Sequence, residues 1–348
     1  MDHKKRFSQF IKNIKETDQL AVLYDSDADG ICSAVITIRS LEKLGFKVER
    51  YIPCSHSNFN KTRLKELNKE GVNKIIILDF AGDQYGDELV NEVSVFDAVL
   101  LVDHHKIYTD INSDKIIFIK SQYLRSDLDG SNYCTSKMIF DLFAGIQDIS
   151  DLDWLAGIGL TTDLSDRPWQ DFLKKVYKKY DLNHSKLIDI GNVIDAGKQI
   201  VPPQIEHALQ VVLEAKKPRD ILKSPFSKIA KKLHNEVEFW INKFEEKAEN
   251  KGDVWLYEID PSASIGSVIS TILALKYPDY VILVTRHRNS WVSINARNHS
   301  AKRPVNNLLE KAVKGLKGAN AGGHKPAAGA AVREKDFEEF KKRIWKLA

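Results

Sequence analysis

The sequence predicts an α/β protein of two domains, the larger one built on a parallel sheet. Three observations carry this. At 348 residues the chain is too long for one ordinary hydrophobic core. Short apolar runs at Ala21–Leu23, Lys47–Ile52, Lys74–Leu78, Ala98–Val102 and Lys115–Ile119 read as strands, with helical patterns between the first several of them. Strands alternating with helices indicate a parallel sheet covered on both faces. Finally, the chain turns into polar helices beyond Pro168, then returns to alternating strands and helices from Asp253 onward.

Composition narrows the class. Hydrophobic residues make up 43% and charged residues 29%, as in a soluble globular protein. No apolar run approaches a membrane span, and MDHKKRFSQF lacks the apolar centre of a signal peptide, so a cytoplasmic protein with no membrane partner is expected. Cys32, Cys54 and Cys134 are odd in number and far apart. They suggest neither a disulfide framework nor a zinc pattern and read as reduced core residues. The formal charge of +4 permits an anionic partner without requiring one.

Taken in order, His3–Glu16 reads as an opening amphipathic helix. The first strand ends in LYDSDADGI, where Asp25, Asp27 and Asp29 precede Gly30, which turns the chain into a helical segment over Ile31–Leu44. On an extended stretch alternate residues point the same way, so this spacing aims several carboxylates into one crevice. Close like charges repel unless a cation sits among them; the plain alternative is a solvated acidic turn. Asp79 ends the run IIIL and, alone, reads as a helix cap. Asp103-His104-His105 closes the fourth run. Two histidines after an aspartate are an uncommon turn but natural metal ligands, and imidazole with carboxylate suits Mn, Zn or Fe-type ions. Ligands of such sheets sit beyond the carboxyl ends of the strands, so three strand ends deliver acids and histidines to one rim.

Helices follow at Cys134–Phe143 and Asp153–Asp163, where small residues in GLTTD allow close packing before Asp163. Polar helical stretches run through Asn183–Lys198, Pro203–Ala215 and the charged Ser227–Lys251, read either as a spacer or as helices packed on the first domain. The expected domains are 1–182, a helical linker over 183–251, and 252–348. In the last of these, Asp253–Ile259 reads as a strand and Ser264–Leu275 as a helix. Tyr280–Thr285 and Trp291–Asn295 read as strands joined by the charged turn Arg286–Ser290. Pro304–Val313 is a helix, and the glycine- and alanine-rich Lys317–Gly329 precedes a short strand and a basic helix.

The ordered motifs DSDADG, LDFAGD, VDHH and GLTTD resemble those of the DHH phosphoesterase superfamily. Gly322-Gly323-His324 with Ala327-Ala328-Gly329 resembles the GGHxxAAG signature of its companion DHHA1 domain. The DxDxDG form of the first motif looks most like RecJ-type single-strand exonucleases, including compact archaeal relatives. The resemblance implies a parallel-sheet DHH domain joined by a long helix to a smaller α/β DHHA1 domain, with the active site in the cleft between them. It implies two divalent ions, usually Mn²⁺, with Mg²⁺ the other option. Carried over by position, Asp27 and Asp79 hold one ion, and Asp29, Asp79, His104 and Asp163 the other, with Asp25 an additional ligand. Leu23 stands where some members of the superfamily have a histidine ligand.

Within that resemblance His105 faces the phosphate as donor or general acid, and Asp103 orients a histidine; the alternative for His105 is a purely structural hydrogen bond. Gly322, Gly323 and His324 suit an anion. Arg297 in WVSINARN matches a phosphate-holding arginine, although Asn295 and Asn298 replace the serines usual around it. Arg286, His287 and Arg288 read as a solvated hairpin turn. The implied function is a two-metal phosphodiesterase releasing mononucleotides from single-stranded DNA or RNA. Short-substrate alternatives are an oligoribonuclease of the nanoRNase kind, a cyclic-dinucleotide phosphodiesterase or a pyrophosphatase. A non-catalytic replication scaffold is the alternative outside enzymes. An active nuclease of this kind has room to dock on a replication or repair protein, and the oligomeric state is left open.

Overall fold

The computed structural model describes residues 2–54, 61–323 and 325–348. The chain forms two compact units, Met1–Lys198 with Pro202–Ala230, and Gln199–Val201 with Lys231–Ala348. The stretch 183–251 is divided between these units. Helices over this stretch bury Leu187, Ile190, Leu209 and Val212, each such side chain stabilising by roughly 1.5–3 kcal/mol.

In unit one, α1 (His3–Lys12) is followed by β1 (Leu20–Tyr24), α2 (Ala28–Lys43), β2 (Val48–Pro53), α3 (Lys61–Lys69), β3 (Lys74–Leu78), α4 (Asp87–Val93), β4 (Ala98–Asp103) and β5 (Ile116–Lys120). The helices α5 (Ser121–Leu124), α6 (Thr135–Ala144), α7 (Asp153–Thr162), α8 (Gln170–Tyr180), α9 (His184–Gln199), α10 (Ile205–Glu214) and α11 (Pro218–Ile221) come next. The strands form a fully parallel sheet in the order β2-β1-β3-β4-β5. Every residue of β1 and β3 is buried, which is why these strands read as continuous apolar runs. Ile75, Ile77, Val99, Leu101 and Phe118 join Leu64, Leu67, Leu89 and Phe96 in one core.

The strand order determines where a ligand goes. β1 pairs with β2 on one side and β3 on the other, so the direction of winding reverses between β1 and β3. A crevice opens at such a reversal, outside the carboxyl ends of the strands. Asp25 and Asp79 are the residues that leave β1 and β3 at this point. Their backbones extend the ladder, the Asp25 N–H donating to the Leu78 carbonyl and the Asp79 N–H to that of Val102.

Unit two takes up the later part of α12 (Phe226–Asn242), then α13 (Phe244–Lys247), β6 (Glu249–Lys251), β7 (Val254–Ile259), α14 (Gly266–Lys276), β8 (Val281–Arg288), β9 (Trp291–Arg297), α15 (Val305–Val313), β10 (Asn320–Gly323), β11 (Ala327–Arg333) and α16 (Phe337–Leu347). Its mixed sheet has the order β10-β11-β9-β8-β7-β6. Alternate residues Val281 and Leu283 pack with Leu308, Leu309, Phe340 and Ile344. Three expectations are corrected here. The charged helix ends at Asn242, and Glu249–Lys251 forms an edge strand whose exposed side chains carry no apolar period. Arg286–Arg288 belong to β8 and pair with β9, leaving Asn289 and Ser290 as the turn, with Asn289 at φ 55°. The glycine- and alanine-rich segment expected to precede a short strand itself supplies β10 and the start of β11.

Candidate metal centre

The first acidic motif is built differently from the extended stretch its spacing suggests. The chain stops being a strand after Tyr24, and Asp27 is the N-cap of α2, its Oδ1 accepting from the Gly30 N–H at 3.0 Å. Asp29 lies in the first turn of that helix. Cap chemistry, which favours Asp and tolerates acids in the first turn, therefore spaces these carboxylates. Gly30 does not turn the chain. A Cβ there would sit 2.4 Å from the Asp25 carbonyl oxygen, so glycine lets the helix start pass over the end of β1.

The remaining ligand candidates converge on the same rim. Asp79 is buried and held at φ 59°, a left-handed conformation that Asp tolerates better than most residues and that costs about 1–3 kcal/mol. His104 Nε2 lies 3.4 Å from Asp79 Oδ1, and His104 Nδ1 lies 3.5 Å from Asp163 Oδ2. Asp163 caps the end of α7. A Cβ on Gly159 in that helix would meet Asp29 Oδ1 at 2.2 Å and Ser136 Oγ at 2.0 Å, so the small residues before Asp163 do permit the close packing expected of them.

Three sets of these residues offer ligand atoms within 4.8 Å of one another: Asp25, Asp27 and Asp79; Asp29, His104 and Asp163; and Asp79, His104 and His105. His104 Nδ1 and Asp163 Oδ2 face each other, both buried and neither hydrogen-bonded. Two buried polar atoms left without a hydrogen bond in this way are a poor protein contact, and a nitrogen and a carboxylate oxygen so placed suit a cation. The donor set fits a divalent metal.

The charge balance points the same way. Burial and the neighbouring Asp27 raise Asp25 to about 7. Burial raises Asp29 to about 6 despite its bonds from Ser136, with Asp27 adding to the rise. Asp79 and Asp163 are pushed well above the carboxylate range by burial and by Asp29 and Asp27. Asp27 moves the other way: against burial, Lys198 and the Gly30 N–H bring it to about 2. Burial and the adjacent His105 lower His104 to about 3, so it presents a neutral imidazole, the form that ligates metals. Against burial, Asp103 raises His105 to about 9. Asp103 is fully buried, and its Oδ1 receives His105 Nδ1 at 2.6 Å.

The family model for the DHH family, N-terminal domain, matches residues 19–160, and that for the DHHA1 domain matches residues 256–348. The chain is a DHH–DHHA1 protein. Similar solved structures include RecJ in complex with Mn²⁺ from Thermus thermophilus, with TM-score 0.76 and 17% identity over 99% of this chain and 54% of that one. The chain thus spans about half the length of that RecJ. A second is exonuclease RecJ bound to manganese, with TM-score 0.72 and 17% identity over 100% of this chain and 94% of that one. A third is a pGpG-specific phosphodiesterase from Vibrio cholerae, with TM-score 0.52 and 12% identity over 95% and 98% of the two chains. At these identities the likeness shows the fold. The comparison with curated proteins gives no match. Among the described residues no helix is long and apolar enough to cross a membrane.

In the DHHA1 domain, Arg297 ends β9 and pairs with Ala327, one register step from the pair of Ala328 with Gly323, so Arg297, Gly322 and Gly323 share one end of the sheet. The Arg297 guanidinium donates to Ser267 Oγ at 3.0 Å and Thr271 Oγ1 at 3.3 Å on α14. Asn298 is fully buried and donates to the carbonyls of Tyr280 and Pro278, a structural duty. His324 lies outside the described residues.

Sequence reasoning missed the support of the DHH site. The Thr135 and Ser136 N–H groups at the start of α6 donate to Asp29 at 2.8 and 3.1 Å, and the Thr135 hydroxyl donates to Asp79 Oδ1 at 2.9 Å. Asp195 accepts from the Ala28 N–H at 2.9 Å, and Lys198 stands 3.4 Å from Asp27 and 3.5 Å from Asp195. An acid and a lysine one helical turn apart in the small-residue stretch DAGK were the available signal.

Proposed function

We propose that this protein is a phosphodiesterase that uses two divalent ions, Mn²⁺ before Mg²⁺, and removes mononucleotides from an end of single-stranded DNA or RNA. One observation carries the reading: Asp79 offers a ligand atom both to the set with Asp25 and Asp27 and to the set with His104 and His105, and His104 in turn joins Asp29 and Asp163, so the crowded carboxylates outnumber the neighbouring cations. The sharing of Asp79 supports a two-ion rather than a one-ion centre. Asp25, Asp27 and Asp79 would hold one ion, and Asp29, Asp79, His104 and Asp163 the other. Such ions supply Lewis-acid stabilisation of the reacting phosphate and activate water.

The residues of the chain supply the rest. His105, kept protonated by Asp103, donates to a phosphate or leaving oxygen. Lys198 places a fixed positive charge beside Asp27, which lowers the cost of bringing a phosphodiester to an acidic rim. Thr135 and Ser136 hold Asp29, and Thr135 holds Asp79, so that their free lone pairs face the centre. In the DHHA1 domain Arg297 would hold a further phosphate, next to the glycines of β10. A nucleic-acid substrate is favoured by the two RecJ folds, and the likeness to a pGpG-specific phosphodiesterase favours a second reading with very short substrates.

The test is a time course with Mn²⁺ on end-labelled dinucleotides, pentamers and 30-mers of DNA and RNA. Stepwise shortening of the 30-mers is expected. Loss of the shortest oligomers alone supports the short-substrate reading, and no cleavage by metal-loaded protein overturns both.

A further inference from the structure

The motif LDFAGD contains a second acid, Asp83, that the metal centre does not use, and β5 ends in a lysine that no surface contact explains. The two meet beneath the DHH motif. Lys120, Asp83 and Asp103 have no exposed side-chain surface. The Lys120 ammonium stands 3.0 Å from Asp83 Oδ1 and donates to Asp103 Oδ2 at 2.5 Å. It also reaches the backbone carbonyls of His105 at 3.2 Å and Lys106 at 3.1 Å. Asp83 Oδ2 in turn accepts from the Tyr108 N–H at 2.6 Å. The three N–H donors of the ammonium thus go to Asp103 and the two carbonyls of the loop that carries His104 and His105, while its charge pairs with Asp83 in the turn after Asp79. The parallel register places Lys120 directly opposite Asp103.

A buried lysine with two carboxylates is a poor device for stability, since taking the charges out of water offsets their attraction and a well-packed apolar substitute is often as stable. Its value lies in geometry. Asp103 has two oxygens, one spent on His105 and one on Lys120, so Lys120 fixes the rotation of the carboxylate that orients the imidazole. The same ammonium fixes the backbone on which that imidazole is mounted. We propose that Lys120, assisted by Asp83, is a positioning residue for His105, acting through the Asp103 carboxylate and the carbonyls of residues 105 and 106. This rests on the reading of His105 as proton donor to the phosphate.

The test compares Lys120→Met and Asp83→Asn with the wild type, as full chains shown to be folded by circular dichroism. With Mn²⁺ and a single-stranded DNA pentamer, Lys120→Met should lower kcat by about 10- to 100-fold, the scale of a small misplacement of a reacting group. KM and the Mn²⁺ dissociation constant should stay within threefold of wild type. Asp83→Asn keeps an acceptor for Tyr108 and should show a smaller loss of kcat with the same unchanged KM. Independently of activity, long-range ¹H–¹⁵N spectra of the metal-free, ¹⁵N-histidine-labelled protein should show the His105 ring signals displaced in both variants. A folded Lys120→Met protein with wild-type kcat and unmoved His105 signals would overturn the proposal. If Lys120→Met does not fold, Asp83→Asn decides on the same readings. If the wild type cleaves nothing, the functional reading fails, and the spectra still decide whether Lys120 positions His105.

Discussion

Two groups of acids, one fully buried and one partly so, lie side by side in the DHH domain and are treated in opposite ways. Asp83 and Asp103 are fully buried, and each carboxylate has a protein cation against it, Lys120 for both and His105 for Asp103. Asp25, Asp29, Asp79 and Asp163 crowd the next strand ends, where Lys198 stands against Asp27 and the other acids are pushed upward by burial and by one another. Each acid of the first group is charge-paired within the protein. The second is complete only with added positive charge. On the proposed function, the contrast separates residues that hold the site together from residues that would bind the ions it uses.

The largest expected effect comes from removing the carboxylate common to both ligand sets. Asp79→Ala should lower hydrolysis by ~10³-fold or more and weaken Mn²⁺ binding measured by calorimetry. Asp79→Asn, which keeps tolerance of the left-handed backbone, should be nearly as inactive while unfolding closer to the wild-type temperature. Equal activity of Asp79→Asn and wild type would erase the distinction between the two acid groups. His105→Asn should come next, lowering kcat by ~10²–10⁴-fold with Mn²⁺ affinity retained, because this residue belongs to the balanced group.

How much of this was legible in the sequence follows the same division. The ligand candidates were legible because they cluster just beyond apolar runs in ordered motifs, although singly each has a plain structural reading such as a helix cap. In the balanced group Asp103 and His105 were legible from the VDHH motif, but Asp83 and Lys120 were not. Lys120 looks like an ordinary charged end to IIFIK, and only the pairing of β5 with β4 brings it under Asp103. Lys198 and Asp195 lay in a segment read as polar linker, and Thr135 reaches Asp79 across 56 residues of chain. Strand order, likewise, is set by long-range pairing. The spacing of Asp25, Asp27 and Asp29 was legible while its cause, a helix cap, was mistaken for strand alternation.

A smaller effect belongs to the DHHA1 domain. Arg297→Ala should raise KM about tenfold, the scale of one lost charge-assisted hydrogen bond, with kcat little changed. An unchanged KM would remove Arg297 from substrate binding. The smallest effect is on stability. Asp25 at about 7 and Asp29 at about 6 hold protons more tightly when folded, so their contribution is complete below about pH 4 and is lost as pH rises through those values. His105 at about 9 adds stability that is full below about pH 6.5 and lost toward pH 9. His104, lowered to about 3, acts in the opposite sense but only below about pH 6.5. Between pH 6.5 and 9 the metal-free protein should therefore lose a few degrees of Tm, and the gain in Tm on adding Mn²⁺ should grow over the same range. A Tm gain independent of pH would mean that Mn²⁺ binds away from these acids.

The most direct measurement is a titration of metal-free protein with Mn²⁺, following free Mn²⁺ by electron paramagnetic resonance, for the wild type and for Asp79→Ala. The surplus of buried carboxylate predicts two ions bound per wild-type chain and a loss of affinity for both when Asp79 is removed. Binding of a single ion, or of two ions indifferent to Asp79, would contradict a shared two-ion centre.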